Sequence, residues 1–401
     1  MAIYNRTLSS LIEDAVKKCR LVRVLGPSKS GKTTIIRQVC SNGWNYIDLK
    51  DPEISGLASE DPDFFLAGTY SPAIFDGIER APELGEAILR ALKNSRDPEK
   101  RYILAGTCDP REDIYYGLED TASFMLFPMS LRELAGTPDA VLPWEEGARM
   151  RSPFLHGEFL WENLLKGGMP EIIANKYIDP HEWFRDYIDS VINRELSRRR
   201  RKILSEPFSD FMKLLALKTG QPLNLSDMAR EIGTTLHIAR TWLDLLVLSN
   251  QVIILTPYST GVKSQVIKTD KAYFTNTGSL CFLLGLRNVK EILNSKFKGI
   301  IFQTGVINEI YRSIKHRGLD NGIYFWKKAT GMEVSIVIEG KEKLEILETS
   351  PTVKTDKAAT KGLRFMKKEL NEKIAHTFLV NPGKTTVPIT EGVVSLPLSE
   401  L

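Results

Sequence analysis

At 401 residues the chain is too long for one ordinary hydrophobic core, and about two to four domains are expected. The balance of 54 basic against 50 acidic residues gives a formal charge of +4, which excludes a uniformly basic nucleic-acid-coating surface, so any anion-binding role has to be local. With 42% hydrophobic and 26% charged residues the chain reads as soluble and globular, neither disordered nor membrane-embedded.

The N-terminus reaches Val22 without an apolar signal core, and no later stretch has the roughly 18 apolar residues of a membrane span, so a cytoplasmic protein is expected. Cys19, Cys40, Cys108 and Cys281 lie far apart with no CxxC pair, which fits a reducing compartment and implies neither a zinc knuckle nor a disulfide framework.

Leu21 to Leu25 reads as a short buried strand running into Gly26-Pro27-Ser28-Lys29-Ser30-Gly31-Lys32-Thr33, with Thr34 to Val39 as the following helix. This is G-x-x-x-x-G-K-T between the flanks it requires. The glycines let successive N–H groups and a helix start face phosphate oxygens, Lys32 adds a cation, and Thr33 offers a hydroxyl to Mg²⁺. Gly26 to Thr34 are therefore the expected ATP-binding residues, with Thr33 and Asp76 as the metal ligands.

Asp76 is placed by the apolar run Pro72-Ala73-Ile74-Phe75, at the end of a neighbouring strand where a second acidic anchor belongs. Gly77 follows it, where many ATPases carry the glutamate that orients water. Slow hydrolysis is expected, and a glutamate restored at Gly77 is expected to raise turnover. Lys32, Asp76 and Glu79 are the catalytic candidates; Glu79 competes with a surface role, and Thr107, at the end of the expected strand Arg101 to Thr107, either senses a phosphate or closes a turn. Adenine is favoured over guanine because N-K-x-D is missing: Asn175-Lys176-Tyr177-Ile178-Asp179 has one residue too many.

These segments, with Phe127-Pro128-Met129-Ser130-Leu131-Arg132-Glu133-Leu134 and Gly167-Gly168-Met169-Pro170-Glu171, resemble the bacterial and archaeal AAA-type P-loop ATPases with a restriction-endonuclease-like C-terminal domain of uncharacterised function. The likeness continues through Asn193-Arg194-Glu195-Leu196, Thr275-Asn276-Thr277-Gly278, Asn308-Glu309 and Tyr324-Phe325-Trp326, nearly the whole chain. It implies an α/β multidomain protein: a P-loop AAA-like core with a parallel sheet, a winged helix-turn-helix, and the endonuclease-like α/β domain. Family members usually read D-E-I-Q where this chain has Asp76-Gly77-Ile78-Glu79, and often place an arginine near Asp120, where none stands here.

In the middle, Trp183 to Leu196 is expected as a helix running into Arg198-Arg199-Arg200-Arg201-Lys202, five adjacent cations suited to solvent or to an anionic partner. Ser226 to Gly233 and Leu236 to Asn250 read as two helices, capped at Ser226 and at Thr234-Thr235, followed by β-rich pieces Gln251 to Pro257 and Gln265 to Thr269. If this module touches DNA, His237, Arg240 and Thr241 face the bases and Lys263 and Lys268 the phosphates. The competing reading is a winged helix that only joins domains.

Beyond Asn294, helix Gly299 to Lys315, strands Gly322 to Lys327, Glu333 to Ile338, Leu344 to Glu348 and His376 to Val380, and a helix Lys357 to Glu372 follow the order of an endonuclease fold. The family's E-V-D and E-V-K become Glu333-Val334-Ser335 and Glu348-Thr349-Ser350, leaving Glu309 and Glu348 as a weak metal site, so a binding or assembly module is expected rather than a nuclease. The expected division is residues 1–135, 136–202, 203–290 and 291–401. The leading function is an ATPase or ATP-driven switch; a DNA-associated, ATP-binding adaptor is the alternative, and a metal-dependent nuclease the weaker one. No feature decides among monomer, dimer and ring.

Overall fold

The alternation of side chains along β-strands explains how the first part of the chain builds its core. In a computed structural model, which describes residues 4–40, 43–95, 97–108, 119–148, 156–189, 207–259, 268–353 and 357–401, five strands form a parallel sheet in the order β2-β3-β4-β1-β5. They are β1 (Leu21–Leu25), β2 (Asn45–Asp48), β3 (Ala73–Asp76), β4 (Tyr102–Gly106) and β5 (Thr121–Met125). Leu21, Phe75, Tyr102 and Leu104 point to one face and Val22, Val24, Ile74, Ile103 and Ala105 to the other, as a period of two requires. Helices α1 (Leu8–Lys18) and α2 (Lys32–Val39) cover the second face. The first is covered by α3 (Pro52–Glu60), α4 (Pro62–Ala67) and α5 (Pro82–Lys93). Covering both faces is what an all-parallel sheet needs. Asp51 and Asp61 cap α3 and α4 by accepting from the N–H groups of Glu53 and Phe64, and each is followed by a proline at the first helical position.

After α6 (Leu131–Leu134) the chain is helical: α7 (Gly157–Lys166), α8 (Pro170–Ala174), α9 (Pro180–Asp186), α10 (Pro207–Leu217), α11 (Leu225–Glu231) and α12 (Leu236–Leu248). The helix expected from Trp183 begins earlier, because Asp179 caps it and Pro180 opens it; α9 runs to Asp186, π-type turns continue to Asp189, and residues 190–196 lie outside the described residues. The basic run Arg198 to Lys202 lies outside the described residues. The cap of α11 is Asn224, which accepts from Asp227 N–H, rather than Ser226. Thr235 caps α12 by accepting from Ile238 N–H. Strand β6 (Val252–Leu255) pairs antiparallel with β7 (Lys271–Phe274), and most of the expected β piece Gln265 to Thr269 lies outside the described residues. Short helices α13 (Thr277–Leu283) and α14 (Val289–Asn294) lead to α15 (Lys298–His316), which at about 1.5 Å per residue is roughly 28 Å long.

The last part is a six-stranded mixed sheet of order β12-β13-β11-β10-β9-β8. Its strands are β8 (Ile323–Lys327), β9 (Glu333–Glu339), β10 (Leu344–Thr349), β11 (Ile374–Asn381), β12 (Val387–Thr390) and β13 (Val393–Pro397). The helix expected over Lys357 to Glu372 is a 3₁₀ turn, then α16 (Lys361–Leu370), then another 3₁₀ turn. One continuous apolar cluster runs from Leu131 through the helical middle and α15 to Leu401, so the parts after the first sheet share a core. No helix among the described residues is long and apolar enough to cross a membrane.

The first sheet is tied to this core through polar groups. Glu133, capping its own short helix with Ser130, is fully buried and accepts from the N–H groups of Thr7 and Ser130, both at 2.9 Å. Arg6 Nε lies 3.0 Å from its Oε1, and His316 Nδ1, at the end of α15, 3.4 Å away. Burial alone would push the Glu133 carboxyl up, but Arg6 and His316 hold it well below the usual carboxylate range. Phe127 N–H donates to His316 Nε2 at 3.0 Å, so that nitrogen carries no proton and the ring is neutral with its proton on Nδ1. Burial pushes the His316 pKa below the ordinary imidazole value, against the pull of Glu133.

A neutral buried histidine makes stability fall with acid. Below about pH 6.5 the unfolded chain takes up a proton at His316 that the folded chain refuses, so each further pH unit costs up to about 1.4 kcal/mol. In His316→Gln, whose amide can still accept from Phe127 N–H, urea denaturation between pH 7 and 5.5 is expected to show a shallower loss of stability than the native chain. Identical slopes would place the acid sensitivity elsewhere.

Candidate nucleotide site

The loop after β1 passes closely beneath the chain leaving β5. At Gly26, with φ of 146°, a Cβ would stand 2.1 Å from the Leu126 carbonyl oxygen, so only glycine fits. The loop then turns into α2, whose first-turn N–H groups face outward as at any helix start. Lys32 is buried, and its ammonium donates back to the carbonyls of Gly26 at 2.8 Å and Pro27 at 2.9 Å. A cation folded over its own loop is already at the place where an anion would be met.

Asp76 ends β3 beside this loop. Its Oδ2 accepts from Thr33 Oγ1 at 2.5 Å, Tyr46 Oη at 2.8 Å and Lys50 Nζ at 2.8 Å. Burial favours the protonated form of Asp76, but the lysine and the two hydroxyls outweigh it and hold the carboxyl below its usual range. The Tyr46 hydroxyl, half-buried and beside this carboxylate, is pushed up to about 12. A hydroxyl and a carboxylate in contact are hard oxygen donors of the kind Mg²⁺ takes with water, so Thr33 and Asp76 fit that ion chemically.

Glu79 lies on a 3₁₀ turn after Asp76, with Oε2 accepting from Thr107 N–H at 3.1 Å. Both line a cavity of about 490 Å³ that Lys32, Thr33, Lys50 and Asp76 also line, a size suited to a small-molecule ligand. The expectation that Gly77 merely lacks a carboxylate is corrected by its backbone. At φ of 103° it occupies a region that L side chains rarely adopt, and a Cβ would lie 3.3 Å from Lys50 Cγ. Glycine is needed there for the turn.

The far wall comes from α8, unforeseen as part of the site. Pro170 and Glu171 line the cavity, and Glu171 Oε2 lies 3.3 Å from Lys29 Nζ of the loop. Arg6 adds a buried link: it donates to the Ser30 carbonyl at 2.9 Å and the Phe127 carbonyl at 2.7 Å while holding Glu133. Neither Arg6, Tyr46 nor Lys50 belongs to the eight-residue motif. Lys50 stands two residues past the end of β2, at a place marked by no motif.

The other candidate groups lie apart. His237 and Arg240 are exposed on α12, but Thr241 is buried and its hydroxyl bonds back to the His237 carbonyl at 3.0 Å, which removes it from any readout face. Lys268 is exposed, and Lys263 lies outside the described residues. In the last sheet, Ser335 Oγ bonds to Glu348 and accepts from Gln303 at 2.6 Å, while Ser350 Oγ donates to the Thr352 carbonyl at 3.1 Å. Glu333 is held by Lys271 and, at 2.6 Å, by Lys327. Glu309, expected beside Glu348, instead accepts from Leu131 N–H at 2.9 Å. Among the described residues no group of three or more His, Cys, Asp or Glu could hold a metal ion.

Gly77→Glu is expected to lose about 1–2 kcal/mol of stability, the cost of a side chain in left-handed backbone, and to show no gain in ATP turnover. Thermal denaturation and a phosphate-release assay check both parts; a variant as stable as the native chain and faster would restore the missing-glutamate reading.

Residues 18–135 match the model of an AAA domain, while residues 157–290 and 298–401 each match a domain of unknown function (DUF8612 and DUF4143). An uncharacterized protein of Mycobacterium tuberculosis is 24% identical over 408 residues, covering 100% of this chain and 85% of its own length, and one of Mycobacterium bovis gives the same figures. Among solved structures, the Walker-type ATPase of Pyrococcus abyssi superposes with a TM-score of 0.45 at 15% identity, covering 70% of this chain and 96% of that one. At that score the likeness decides nothing about architecture or activity. The N-terminal part of the chain thus matches an AAA-type domain, and it builds the parallel sheet that carries the P-loop motif.

Proposed function

We propose that the chain is a cytoplasmic ATP-binding switch of slow turnover, holding the triphosphate over Gly26 to Thr34. The observation that carries this is the convergence of Lys32, Thr33, Asp76, Glu79 and Thr107 on one cavity at the carboxyl ends of the parallel strands, where open α/β sheets bind ligands. On this reading the Lys32 ammonium leaves the Gly26 and Pro27 carbonyls for the β- and γ-phosphates. Thr33 and Asp76 would hold Mg²⁺, which when bound supplies charge neutralisation to the phosphates. Glu79, fixed by Thr107 N–H, orients the attacking water, and turnover is slow because this carboxylate stands three residues past Asp76 and already has a donor to hold. Arg6 gives the switch its output, since a shift of the Ser30 carbonyl is felt by Glu133 and, through His316, by α15.

The proposed division is a P-loop core over residues 1–135, a helical segment over 136–202, a winged helix over 203–290 and a restriction-endonuclease-like unit over 291–401. The helix pair α11 and α12 with the β6-β7 ribbon supports the third. The fourth serves binding or assembly rather than cleavage, because lysines already neutralise Glu333 and Ser335 occupies Glu348.

Lys32→Ala is expected to weaken ATP binding by about 10- to 150-fold, the loss of a charge-assisted contact of roughly 1.5–3 kcal/mol. Isothermal titration measures it, and unchanged affinity sinks the site.

A DNA-associated adaptor is the second reading, favoured by His237 and Arg240 standing exposed at the start of α12. Because phosphate-seeking cations outnumber base-reading groups, binding is expected to be sequence-tolerant, carried by Arg198, Arg199, Arg200, Arg201 and Lys202 with Arg240. Affinity for duplex DNA then falls with salt at a log-log slope of about −0.9 per phosphate neutralised, and glutamine at the five basic positions shallows it. Salt-independent binding, or loss of one preferred sequence in Arg240→Ala, would speak for base readout instead.

A further inference from the structure

Lys50 belongs to no motif, yet it stands at the centre of the phosphate site. Its ammonium lies 2.8 Å from Asp76 Oδ2 and 3.3 Å from Thr33 Oγ1, the two groups that fit Mg²⁺. The Asp76 side chain is only 2% exposed while that of Lys50 is 45% exposed, so the lysine enters from the cavity side and covers a carboxylate that water scarcely reaches. Its position is fixed from behind. Lys50 N–H donates to Asp48 Oδ1 at 3.0 Å, closing the turn after β2, and its stem passes over residue 77, where a Cβ would meet Lys50 Cγ at 3.3 Å. Glycine at 77 and lysine at 50 are therefore one feature: the glycine clears the path along which the lysine reaches Asp76.

We propose that Lys50 is a resident cation of this site, occupying the Thr33–Asp76 pair in place of a divalent ion, so that the protein binds ATP without requiring Mg²⁺. The inference rests on the nucleotide reading of the cavity. Its physical basis is charge. A bare Asp76 carboxylate would repel a metal-free triphosphate, and in P-loop sites a bound ion helps to neutralise the charge of the phosphates. Here the Lys50 ammonium cancels it from within, and with Lys32 it offers the phosphates a second cation on a flexible stem that can turn from carboxylate to phosphate. Mg²⁺ entering the pair has to displace the lysine, so the metal gains less at this site than it would at an uncovered one.

The test is isothermal titration of the full-length chain with ATP, in buffer containing Mg²⁺ and in buffer containing EDTA instead. The native chain is expected to keep its affinity within about threefold between the two buffers, and Lys50→Met to lose at least about tenfold in EDTA, with Mg²⁺ restoring it to near the native value. Recovery in Mg²⁺ shows that the variant is folded, and Lys50→Arg, keeping the charge, should bind in EDTA better than Lys50→Met. A native chain that loses more than about tenfold on removal of Mg²⁺, or a Lys50→Met that binds in EDTA as the native chain does, overturns the proposal. If neither protein binds ATP in either buffer, the nucleotide reading itself falls.

Discussion

Glu133 is buried, negative, and reached from three directions, and the relation between the first sheet and the rest of the molecule depends on it. Thr7 and Arg6 come from the N-terminus, Ser130 from its own capping turn, and His316 from the last turn of α15. Removing one partner of a buried pair leaves an uncompensated charge at about 3–5 kcal/mol, whereas the intact set is nearly neutral to stability. Such a group contributes geometry more than energy. Its neighbours repeat the pattern: Arg312 on α15 donates to the carbonyls of Met129, Gly167 and Thr275, and Arg132 to that of Leu401. Each of these donors reaches backbone across an interface, so the parts are held in register by directional bonds that apolar contact alone would not specify.

Among the described residues, lysine ammonium groups close over a strand carboxylate in both large sheets. Over the first sheet Lys50 covers Asp76, and in the last sheet Lys271 and Lys327 converge on Glu333. Burial disfavours the charged form of Lys271 and also that of Glu333, yet the carboxylate stays below its ordinary range because two ammonium groups face it. Among the described residues Glu348 nearby makes no salt bridge, and Ser335 and Thr349 are its hydrogen-bond donors. Burial pushes it up to about 7 in spite of the Ser335 and Thr349 donors, so near neutrality it is shared between its acid and its carboxylate. Lys271 belongs to β7 and Glu333 to β9, which makes this pair a joint between the middle of the chain and the last sheet.

What could be read from the residues was local. The strand–loop–helix of Leu21 to Val39 is written in contiguous positions, and the apolar run ending at Asp76 announces a buried parallel strand. The same holds for β8 to β11, where aliphatic and aromatic runs are long enough to be seen. Three kinds of information were not local. Thr121 to Met125 carries too little apolar character to be picked out as β5, and Val387 to Thr390 contains a proline within four residues, so both strands exist by virtue of their neighbours. Lys50 and Glu171 reach the cavity only because β2 lies beside β3 and α8 beside the loop. Gly77 looked like a missing side chain because composition does not report φ. Thr241 failed in the opposite sense, since a helical position near exposed residues was still turned inward.

The hydrogen bond from Leu131 N–H to Glu309 spans 178 residues of chain, and that separation bears on how the molecule is made. At roughly 5–20 residues per second, a ribosome needs about 10–35 s to synthesise the intervening segment. During that interval the parallel sheet has all its strands, but Arg6 and Glu133 stand without α15 and the apolar cluster beginning at Leu131 is open to water. The nascent chain is therefore held for tens of seconds as an assembled sheet with an unfinished flank, the condition in which chaperones engage a growing protein.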